Sequence, residues 1–348
     1  MRVWITGLAG FLGSHLAEAL LAQGHHVAGN DSFVCGDYEN VPQNFGCTFY
    51  VDDPHLDEPL DCRSFVGMKE SMEHFKPDVV VHCAATAAEG FSVFSPHFIT
   101  SNIADASVAT FSAAIAAGAK RIVYMSSMSR YGRGLAPTMP RPPFKEDHHL
   151  TAPIDPYAHA KVYAENVLKT LCETHGVKWS ILVPHNIIGT RQEITPYRNV
   201  VSIFLNRLKL GQPVYIYGDG EQKRSFSPVR DCIDSIVKVV HGAADSEVVN
   251  IGPDGNEITI NELLSMCEEV TGVKAERVYL PPRPVTDTVK EAYCSAEKAR
   301  RLLGYEPKQD IRECIQEMSD AMIPKPFSYD FPLEIDSPLT PRTWKEKL

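Results

Sequence analysis

Tyr157 and Lys161 lie four residues apart, where apolar spacing predicts a helix over Ala158–His175. Side chains at this spacing share one face of a helix, so the phenol and the ammonium should lie together. A neighbouring lysine charge favours the phenolate and would lower the pKa of the tyrosine, which would then accept a proton from a hydroxyl near neutral pH. Such pairs more often serve only packing and solvation, so the interpretation depends on the surroundings.

Those surroundings include two hydroxyl groups. Ser126 and Ser127 follow a predicted strand, Arg121–Met125. Open α/β sheets hold their ligands at the carboxyl ends of parallel strands. The serines therefore strengthen the catalytic interpretation of the tyrosine and lysine.

A glycine-rich segment, Thr6–Ser14, lies between the first predicted strand and the first predicted helix. It contains Gly7, Gly10, Phe11, Leu12 and Gly13. Glycines at these positions allow a tight turn and close approach of backbone N–H groups to a pyrophosphate at the helix N-terminus. The alternative is a plain strand-to-helix turn, but the context favours a dinucleotide site.

An acidic residue follows at the distance that such a site requires. Asp31 ends the second predicted strand, where a carboxylate accepts hydrogen bonds from ribose hydroxyls and repels a 2′-phosphate. This favours NAD over NADP as the cofactor. Asp37 is the alternative if the strand ends later, and a turn-capping role for Asp31 is the structural alternative.

Short β-branched runs alternate with helical stretches in the first half of the chain, which predicts a doubly wound, Rossmann-like parallel sheet. The predicted strands are Val3–Ile5, His26–Asn30, Val79–Cys83, Arg121–Met125 and Trp179–Val183. The predicted helices are Ser14–Gln23, Arg63–Phe75, Ser101–Ala117 and Ala158–His175.

The residue pattern along the sequence changes after about Gly189, and this change predicts a smaller α/β substrate lobe in the C-terminal half. We expect an NAD-binding domain over 1–190 with a return segment at about 225–250, and a lobe formed by 191–224 and 251–323. In that half, an interrupted stretch rich in Arg, Tyr and Pro leads to the run 213–220, and 231–241 and 258–271 have helical spacing. The sequence leaves open whether 324–348 is an ordered arm, a partner contact or a mobile tail.

Composition argues against several classes of protein. A formal net charge of −10 disfavours nucleic acid and anionic membranes as partners. No apolar run is long enough to span a membrane, and the start of the chain lacks an export signal, so a soluble cytoplasmic protein is expected. The nine cysteines form no C-x-x-C pair, and His25-His26 and His148-His149 lack ligand spacing, so no metal is expected.

From its start to about residue 315, the chain resembles the extended short-chain dehydrogenase/reductase family, and within it the NAD-dependent sugar-nucleotide epimerases and dehydratases. The matching motifs are the T-G-x-x-G-F-L-G start at 6–13, His82-Cys83-Ala84-Ala85, Asn102, Ser127 with Tyr131-Gly132, Tyr157 with Lys161, Asn186, and the run 218–226.

This resemblance implies a role for each catalytic candidate. Tyr157 would be the acid/base, Lys161 would orient the nicotinamide ribose and tune the tyrosine, and Ser127 would hydrogen-bond the reacting sugar hydroxyl. The remaining cofactor contacts implied are Asp61 and Cys62 at the adenine, with Ala84, Ala85, Asn102 and Pro184 along the rest of the cofactor.

Departures from the family pattern favour one reaction. Dehydratases carry an Asp-Glu pair after the catalytic hydroxyl, and UDP-glucuronate decarboxylases carry a glutamate two positions beyond it, whereas this chain has Met128 and Ser129. The pattern is closest to UDP-sugar 4-epimerases, which oxidise the sugar transiently, with C4 as the expected carbon, and return hydride to the other face. Glu89 and the residues before Asn186 differ from the commonest galactose enzymes and leave the sugar open.

The family's nucleotide-sugar contacts match positions in the second half. Arg224 and Arg283 correspond to phosphate-binding arginines, although the match at Arg283 requires a one-residue gap. Asn186 and Asn199 would contact phosphate or sugar hydroxyls, and Tyr215 and Tyr217 would stack on the base. A UDP-sugar is the expected substrate.

Two alternatives to an epimerase remain open. One is another keto-sugar enzyme on the same fold, namely a dehydrogenase, a reductase or a dehydratase. The other is an NAD-binding protein without catalysis, which the intact Ser127, Tyr157 and Lys161 disfavour. By resemblance, a homodimer is expected, formed through the helices at 101–117 and 158–175.

Overall fold

The computed structural model describes residues 1–42, 46–132, 142–146 and 152–348. Seven parallel strands form the central sheet in the spatial order β11-β6-β5-β4-β1-β2-β3. These strands are β1 (Arg2–Thr6), β2 (His26–Asn30), β3 (Thr48–Tyr50), β4 (Val79–His82), β5 (Arg121–Met125), β6 (Lys178–Pro184) and β11 (Glu247–Ile251). The strand order reverses beside β1, so a ligand crevice is expected there.

Helices cover both faces of the sheet, which explains why the central strand β4 is buried along its whole length. The helices of this part are α1 (Phe11–Ala22), α2 (Phe65–Phe75), α3 (Pro96–Thr100), α4 (Ala106–Ala116), α5 (Pro156–His175), α7 (Val229–Val240) and α9 (Glu297–Leu303). Leu16 and Ile236 belong to the core on one face, and Met68, Phe111 and Leu168 to the core on the other. The predicted Rossmann-like architecture is confirmed.

Three details differ from the sequence-based assignment. Strands β3 and β11 were not predicted, because β3 is only three residues long and β11 pairs with β6 from a segment distant in sequence. The predicted helix 101–117 begins earlier, at Pro96, and contains a π-helical turn at Ser101–Asp105. This widened turn carries Asn102.

Two elements that follow β6 at a distance in sequence, α7 and β11, pack with the central sheet and its helices. Helix α7 packs against α1, and β11 adds an edge strand beside β6. Helix α9, in the segment expected to form the second lobe, packs against α7 and β11. The sheet part of the molecule is therefore built from several separate stretches of chain.

A second group of elements packs around its own core, which includes Phe204, Leu263 and Ile315. The elements of this half are β7 (Ile187–Ile188), α6 (Val200–Lys209), β8 (Val214–Tyr217), β9 (Lys223–Arg224), β10 (Ser227–Pro228), β12 (Ile258–Thr259), α8 (Ile260–Thr271), β13 (Arg277–Leu280), β14 (Glu291–Ala292) and α10 (Ile311–Ala321). Strand β8 lies within the run 213–220, and α8 lies within the predicted helical region 258–271.

Residues 324–348, here called the C-terminal arm, are ordered against the rest of the molecule and end in the short helix α11 (Arg342–Lys345). The Glu334 carboxylate accepts hydrogen bonds from the backbone N–H groups of His97 and Phe98, at 2.8 and 2.7 Å. Trp344 is buried and donates to the carbonyl oxygen of Pro196 at 3.0 Å. The arm thus joins the start of α3 to the second half of the chain.

All nine cysteines are free thiols. In the part of the chain that the structure describes, no helix has both the length and the apolar character needed to cross a membrane.

Candidate active site

A cavity of about 520 Å³ opens at the carboxyl ends of β1, β2, β4, β5 and β6 and extends toward the second half of the chain. Every site residue predicted from the sequence lines it. These residues are Gly7, Gly10, Phe11, Leu12, Gly13, Asp31, Asp61, Cys62, Ala84, Ala85, Asn102, Ser127, Tyr157, Lys161, Pro184, Asn186, Asn199, Tyr215, Tyr217, Arg224 and Arg283.

The glycine loop has no room for side chains. A Cβ on Gly13 would lie 2.2 Å from the carbonyl oxygen of Gly7, and one on Gly7, whose φ is +67°, would lie 2.9 Å from Cα of Ala84. Gly10 caps α1 without a side-chain hydrogen bond, and Phe11 and Leu12 line the cavity. The helix N-terminus therefore presents backbone N–H groups to the cavity, which fits the diphosphate of NAD.

Asp31 lies beside this loop. Its carboxylate accepts hydrogen bonds from the backbone N–H of Ala9 at 3.0 Å and of Phe33 at 2.9 Å. Burial raises its pKa to about 6 despite these bonds. Asp37, the alternative, instead caps the next turn by accepting from the N–H of Glu39. The structure therefore places Asp31 where a ribose hydroxyl can reach it.

The other predicted cofactor residues also line the cavity, and hydrogen bonds hold the segments that carry them. The Asn30 amide donates to the Sγ of Cys62 at 3.4 Å, and the Asn102 amide donates to the carbonyl oxygen of Phe98 at 2.8 Å. The backbone N–H of Ala84 donates to the hydroxyl of Thr6 at 3.2 Å, which holds the end of β4 against β1. These bonds fix the cavity wall that an adenosine and a nicotinamide would contact.

Three hydroxyl groups form a chain at the end of β5. The Ser129 hydroxyl donates to Oγ of Ser127 at 3.0 Å, and Ser127 interacts with the phenol of Tyr157, whose pKa it acts to lower. Such a chain holds the phenolic oxygen in place and connects it to a second hydroxyl, as an acid/base group requires. Ser129 was identified from the sequence only as a departure from other subfamilies.

Lys161 is buried and donates from Nζ to the carbonyl oxygen of Met125 at 2.8 Å. Burial lowers the pKa of this lysine to about 7. Burial also raises the pKa of Tyr157 to about 12, with the hydrogen bond from Ser127 acting in the opposite direction. The expected lowering of the tyrosine pKa is therefore wrong for this structure, because desolvation of the phenolate outweighs its stabilising neighbours.

A buried ion pair lies next to the segments that carry the catalytic candidates. The Arg130 guanidinium lies 3.2 Å from the Glu165 carboxylate, and both side chains are at most 6% exposed. The same carboxylate accepts a hydrogen bond from Ser126. Because Glu165 lies one turn after Lys161 and Ser126 directly precedes Ser127, the ion pair connects the two segments that carry the catalytic candidates.

The far end of the cavity is cationic and aromatic. The Arg283 guanidinium lies 4.8 Å from the ring centroid of Tyr217, and that of Arg207 lies 4.7 Å from the ring centroid of Tyr215. Arg283 is also paired with Asp287 at 2.8 Å. These planar groups suit a nucleobase and a diphosphate.

The two predicted asparagines make structural hydrogen bonds. Asn186 donates to the carbonyl oxygen of Ser225 at 2.9 Å, and Asn199 caps α6 by accepting from the N–H of Val201 at 3.1 Å. Both line the cavity. The Asn199 amide also donates to the carbonyl oxygen of Ile187 at 3.3 Å, so both polar atoms of that side chain already have partners.

Several cavity-lining groups were not predicted as site residues. They include Glu89, Arg198, Arg207, Phe327 and Thr343. Of these, the sequence singled out only Glu89, as a difference from the commonest galactose enzymes. The others reach the cavity through long-range packing. Within the described ranges no cluster of His, Cys, Asp or Glu has a geometry that could hold a metal ion, and His148-His149 lies outside those ranges.

The sequence model of the NAD dependent epimerase/dehydratase family matches residues 3–252, which is well over half of the chain. The chain belongs to this family. Its members are enzymes with NAD as their cofactor, which confirms the predictions of the family and of the cofactor.

Relatives within the NAD dependent epimerase/dehydratase family indicate the reaction. The UDP-glucose 4-epimerase of Mycolicibacterium smegmatis is 31% identical over 317 residues, covering 90% of this chain and 96% of the relative. The structure of the Thermotoga maritima UDP-glucose 4-epimerase with UDP-glucose has a TM-score of 0.83 at 30% identity, covering 92% of this chain and 98% of its own. The structure of the Thermus thermophilus UDP-glucose 4-epimerase in complex with NAD has a TM-score of 0.82 at 30% identity, with the same coverage. All three are epimerases, which bears out the predicted epimerase rather than the dehydratase alternative.

Proposed function

We propose that the protein is a UDP-hexose 4-epimerase and that the residues predicted from its sequence carry the reaction. The observation that carries this proposal is the single cavity with Ser127, Tyr157 and Lys161 at one end and Arg224 and Arg283 at the other. A sugar between these ends would place a ring hydroxyl at the phenol and its anomeric phosphate at the arginines.

Tyr157 is the proton acceptor for the reacting hydroxyl in this proposal. Ser127 hydrogen-bonds the phenol and is positioned to bond the same sugar hydroxyl, while Ser129 fixes the orientation of Ser127. When bound, NAD supplies a hydride acceptor and later returns the hydride. The ketone turns over between the two transfers, and Tyr157 returns its proton to the new hydroxyl.

Lys161 orients the ribose next to the nicotinamide and supplies positive charge near the phenol. Its Nζ lies 5.9 Å from the ring centroid of Tyr157. A group whose pKa is about 7 exchanges its proton near neutral pH, so the lysine can respond to the charge state of the phenol.

The nucleoside diphosphate would lie at the opposite end. Arg224 and Arg283 are the candidates for the phosphates because guanidinium groups bind oxyanions through paired N–H bonds. The base would contact Tyr215 or Phe327, both of which flank the Arg207 guanidinium, at 4.7 and 5.1 Å from their ring centroids.

The test is incubation of the purified protein with UDP-, GDP-, CDP- and dTDP-sugars, following stereochemistry by NMR and NADH by absorbance. Inversion at C4 of a UDP-hexose without net NADH is expected, and Tyr157→Phe should abolish it. Stoichiometric NADH would instead identify a dehydrogenase, and inversion of no sugar in the panel would reject the epimerase.

We further propose a cytoplasmic homodimer that pairs through the outer faces of α4 and α5. Tyr163 on α5 is 53% exposed, as expected for an aromatic side chain at an interface. Sedimentation velocity of wild type and Tyr163→Glu tests this. A dimer weakened by the substitution is expected, and a monomeric wild type would contradict it.

A further inference from the structure

Glu89 occupies the stretch of cavity between the proposed reacting end and the proposed phosphate end. It follows β4 in the loop that approaches the catalytic group, and it lines the cavity. Its carboxyl group interacts electrostatically with the phenol of Tyr157 and with the guanidinium groups of Arg224 and Arg283. A sugar that spans from the phenol to the arginines must therefore pass beside Glu89.

The carboxyl groups of Glu89 and Asp155 interact electrostatically. The Ser92 hydroxyl joins their two segments, because it lies 2.7 Å from the backbone carbonyl oxygen of Glu89 and 3.5 Å from Oδ1 of Asp155. Asp155 is 2% exposed, and its Oδ1 already accepts from the N–H of Ala158 at 2.8 Å. Its Oδ2 is buried and receives no hydrogen bond from a donor group among the described residues. Two neighbouring buried carboxyl groups repel each other when both are ionised, which favours a proton on one of them.

The pKa shifts of Glu89 and Asp155 are consistent with a proton held on this carboxyl pair. Burial, followed by repulsion from Asp155, raises the pKa of Glu89 to about 8. The pKa of Asp155 is also raised by burial, while its bond to Ala158 acts in the opposite direction. At neutral pH the pair therefore holds one proton and one negative charge.

The titratable and charged groups that face the pair come from several elements packed around it. From α5 these are Tyr157 and His159, which acts on Asp155. Arg224 comes from β9, and Arg283 precedes β14 and is paired with Asp287. A further anion beside Glu89 would thus meet the negative charge of the carboxyl pair, while the charge of Arg283 is already paired with that of Asp287.

We propose that Glu89, sharing a proton with Asp155, is a specificity-determining residue that contacts the sugar ring and selects a neutral hexose over a hexuronate. The proposal rests on the proposed function. With its proton directed to Asp155, the free oxygen of Glu89 accepts a hydrogen bond. A sugar hydroxyl supplies that donor, whereas a sugar carboxylate supplies none and is repelled by the charge of the pair.

The experiment compares kcat/KM for UDP-glucose and UDP-glucuronate in wild type, Glu89→Gln and Glu89→Met. Wild type should prefer the neutral sugar by about 100-fold or more. Glutamine keeps an accepting oxygen and can donate to Asp155, so it should preserve the preference at a several-fold lower rate. Methionine has neither group and should reduce the preference at least tenfold. Glu73→Met, on the exposed face of α2, is the control and should change neither value.

The pH profile separates this role from a structural one. In wild type, kcat should fall as pH rises through about 8, because ionised Glu89 disfavours the phenolate of Tyr157. The amide of Glu89→Gln does not titrate, so that decline should move to higher pH. An unchanged profile in Glu89→Gln, or an unchanged preference in Glu89→Met, would overturn the proposal, as would a wild-type preference for the uronate.

Binding measurements distinguish a failure of the Glu89 specificity proposal from a failure of the proposed epimerase function. Dissociation constants for UDP-glucose and UDP-glucuronate, measured by calorimetry on NAD-loaded protein, test the Glu89 preference without turnover. Absence of epimerisation together with a preference lost in Glu89→Met would reject the proposed function and retain the specificity role. Equal affinities for both sugars in wild type would reject the specificity role alone.

Discussion

The Nζ of Lys161 donates a 2.8 Å hydrogen bond to the carbonyl oxygen of Met125, so a buried ammonium is fastened to the last residue of β5. The pKa of this lysine is lowered to about 7 by burial. Unfolded lysine stays protonated to about pH 10.4, so between these values the unfolded chain holds one more proton than the folded protein. The free energy of unfolding should therefore rise with pH over that interval.

Lys161→Met removes the free-energy cost of burying the ammonium group in the folded protein. We expect it to raise the free energy of unfolding at pH 7 by about 1–3 kcal/mol and to abolish epimerisation, with the stability gain shrinking toward pH 10. Urea titrations at several pH values measure this. Lys169→Met, on the same helix but partly exposed, should show a smaller change. A variant that is less stable than wild type throughout would contradict the expectation.

Tyr157→Phe removes the phenolic oxygen and leaves the ring packed. We expect kcat to fall by about 10²–10⁴-fold, because general base catalysis is lost. NAD affinity, measured by fluorescence titration, should change little because the glycine loop and Asp31 are untouched. An active Phe variant would show that another group takes the proton.

Gly7→Ala should prevent NAD binding. Its Cβ would lie 2.9 Å from Cα of Ala84, a backbone atom that cannot move aside cheaply. Gly24→Ala is a matched control, since Gly24 has a φ of +77° with nothing within 4 Å of the added Cβ. Both substitutions carry the cost of a positive φ, about 1 kcal/mol. Only Gly7→Ala should lose NAD-dependent thermal stabilisation, and equal loss in both would reject the steric explanation.

Glu165→Leu leaves the Arg130 charge buried without its partner. We expect it to lower the free energy of unfolding by about 3–5 kcal/mol. The double variant Arg130→Met with Glu165→Leu should recover much of this loss, since no uncompensated charge remains. Chemical denaturation of the four proteins of this cycle gives the coupling energy. A double variant as unstable as the sum of the single changes would rule out the ion-pair explanation.

Trp344→Ala should release the C-terminal arm. Trp344 packs edge-on against Phe91, with ring centroids 5.2 Å apart, and its loss should weaken this packing by about 3–5 kcal/mol. We expect faster proteolysis within the arm and a raised KM for the sugar nucleotide. Leu339→Ala, at a 67% exposed position of the same arm, is the control. Unchanged KM in Trp344→Ala would show that the arm does not shape the substrate site.

Local rules predicted much of the fold and site from the sequence. The spacing of Tyr157 and Lys161 follows from one helix, and the glycine loop follows from a strand-to-helix turn, so both depend on neighbouring residues only. The packing of α7 and α9 on the sheet depends on contacts between distant segments. The partnership of Glu89 with Asp155 does as well, and no periodicity encodes it.

The direction of the Tyr157 pKa shift could not be predicted from the sequence for a similar reason. The sequence identified the neighbouring charge of Lys161, which is a local effect, but not the desolvation that both groups undergo in the assembled cavity. Desolvation depends on all surrounding elements and here determines the direction of the shift.

The C-terminal arm also sets the order in which the site can be completed. During synthesis, the glycine loop and Tyr157 emerge from the ribosome well before Phe327 and Thr343, which line the same cavity. A nascent chain can therefore assemble much of the dinucleotide half before its sugar-nucleotide half is enclosed. Competence to turn over substrate would then arise only once residues 327–343 have been synthesised and packed, after cofactor capture has become feasible.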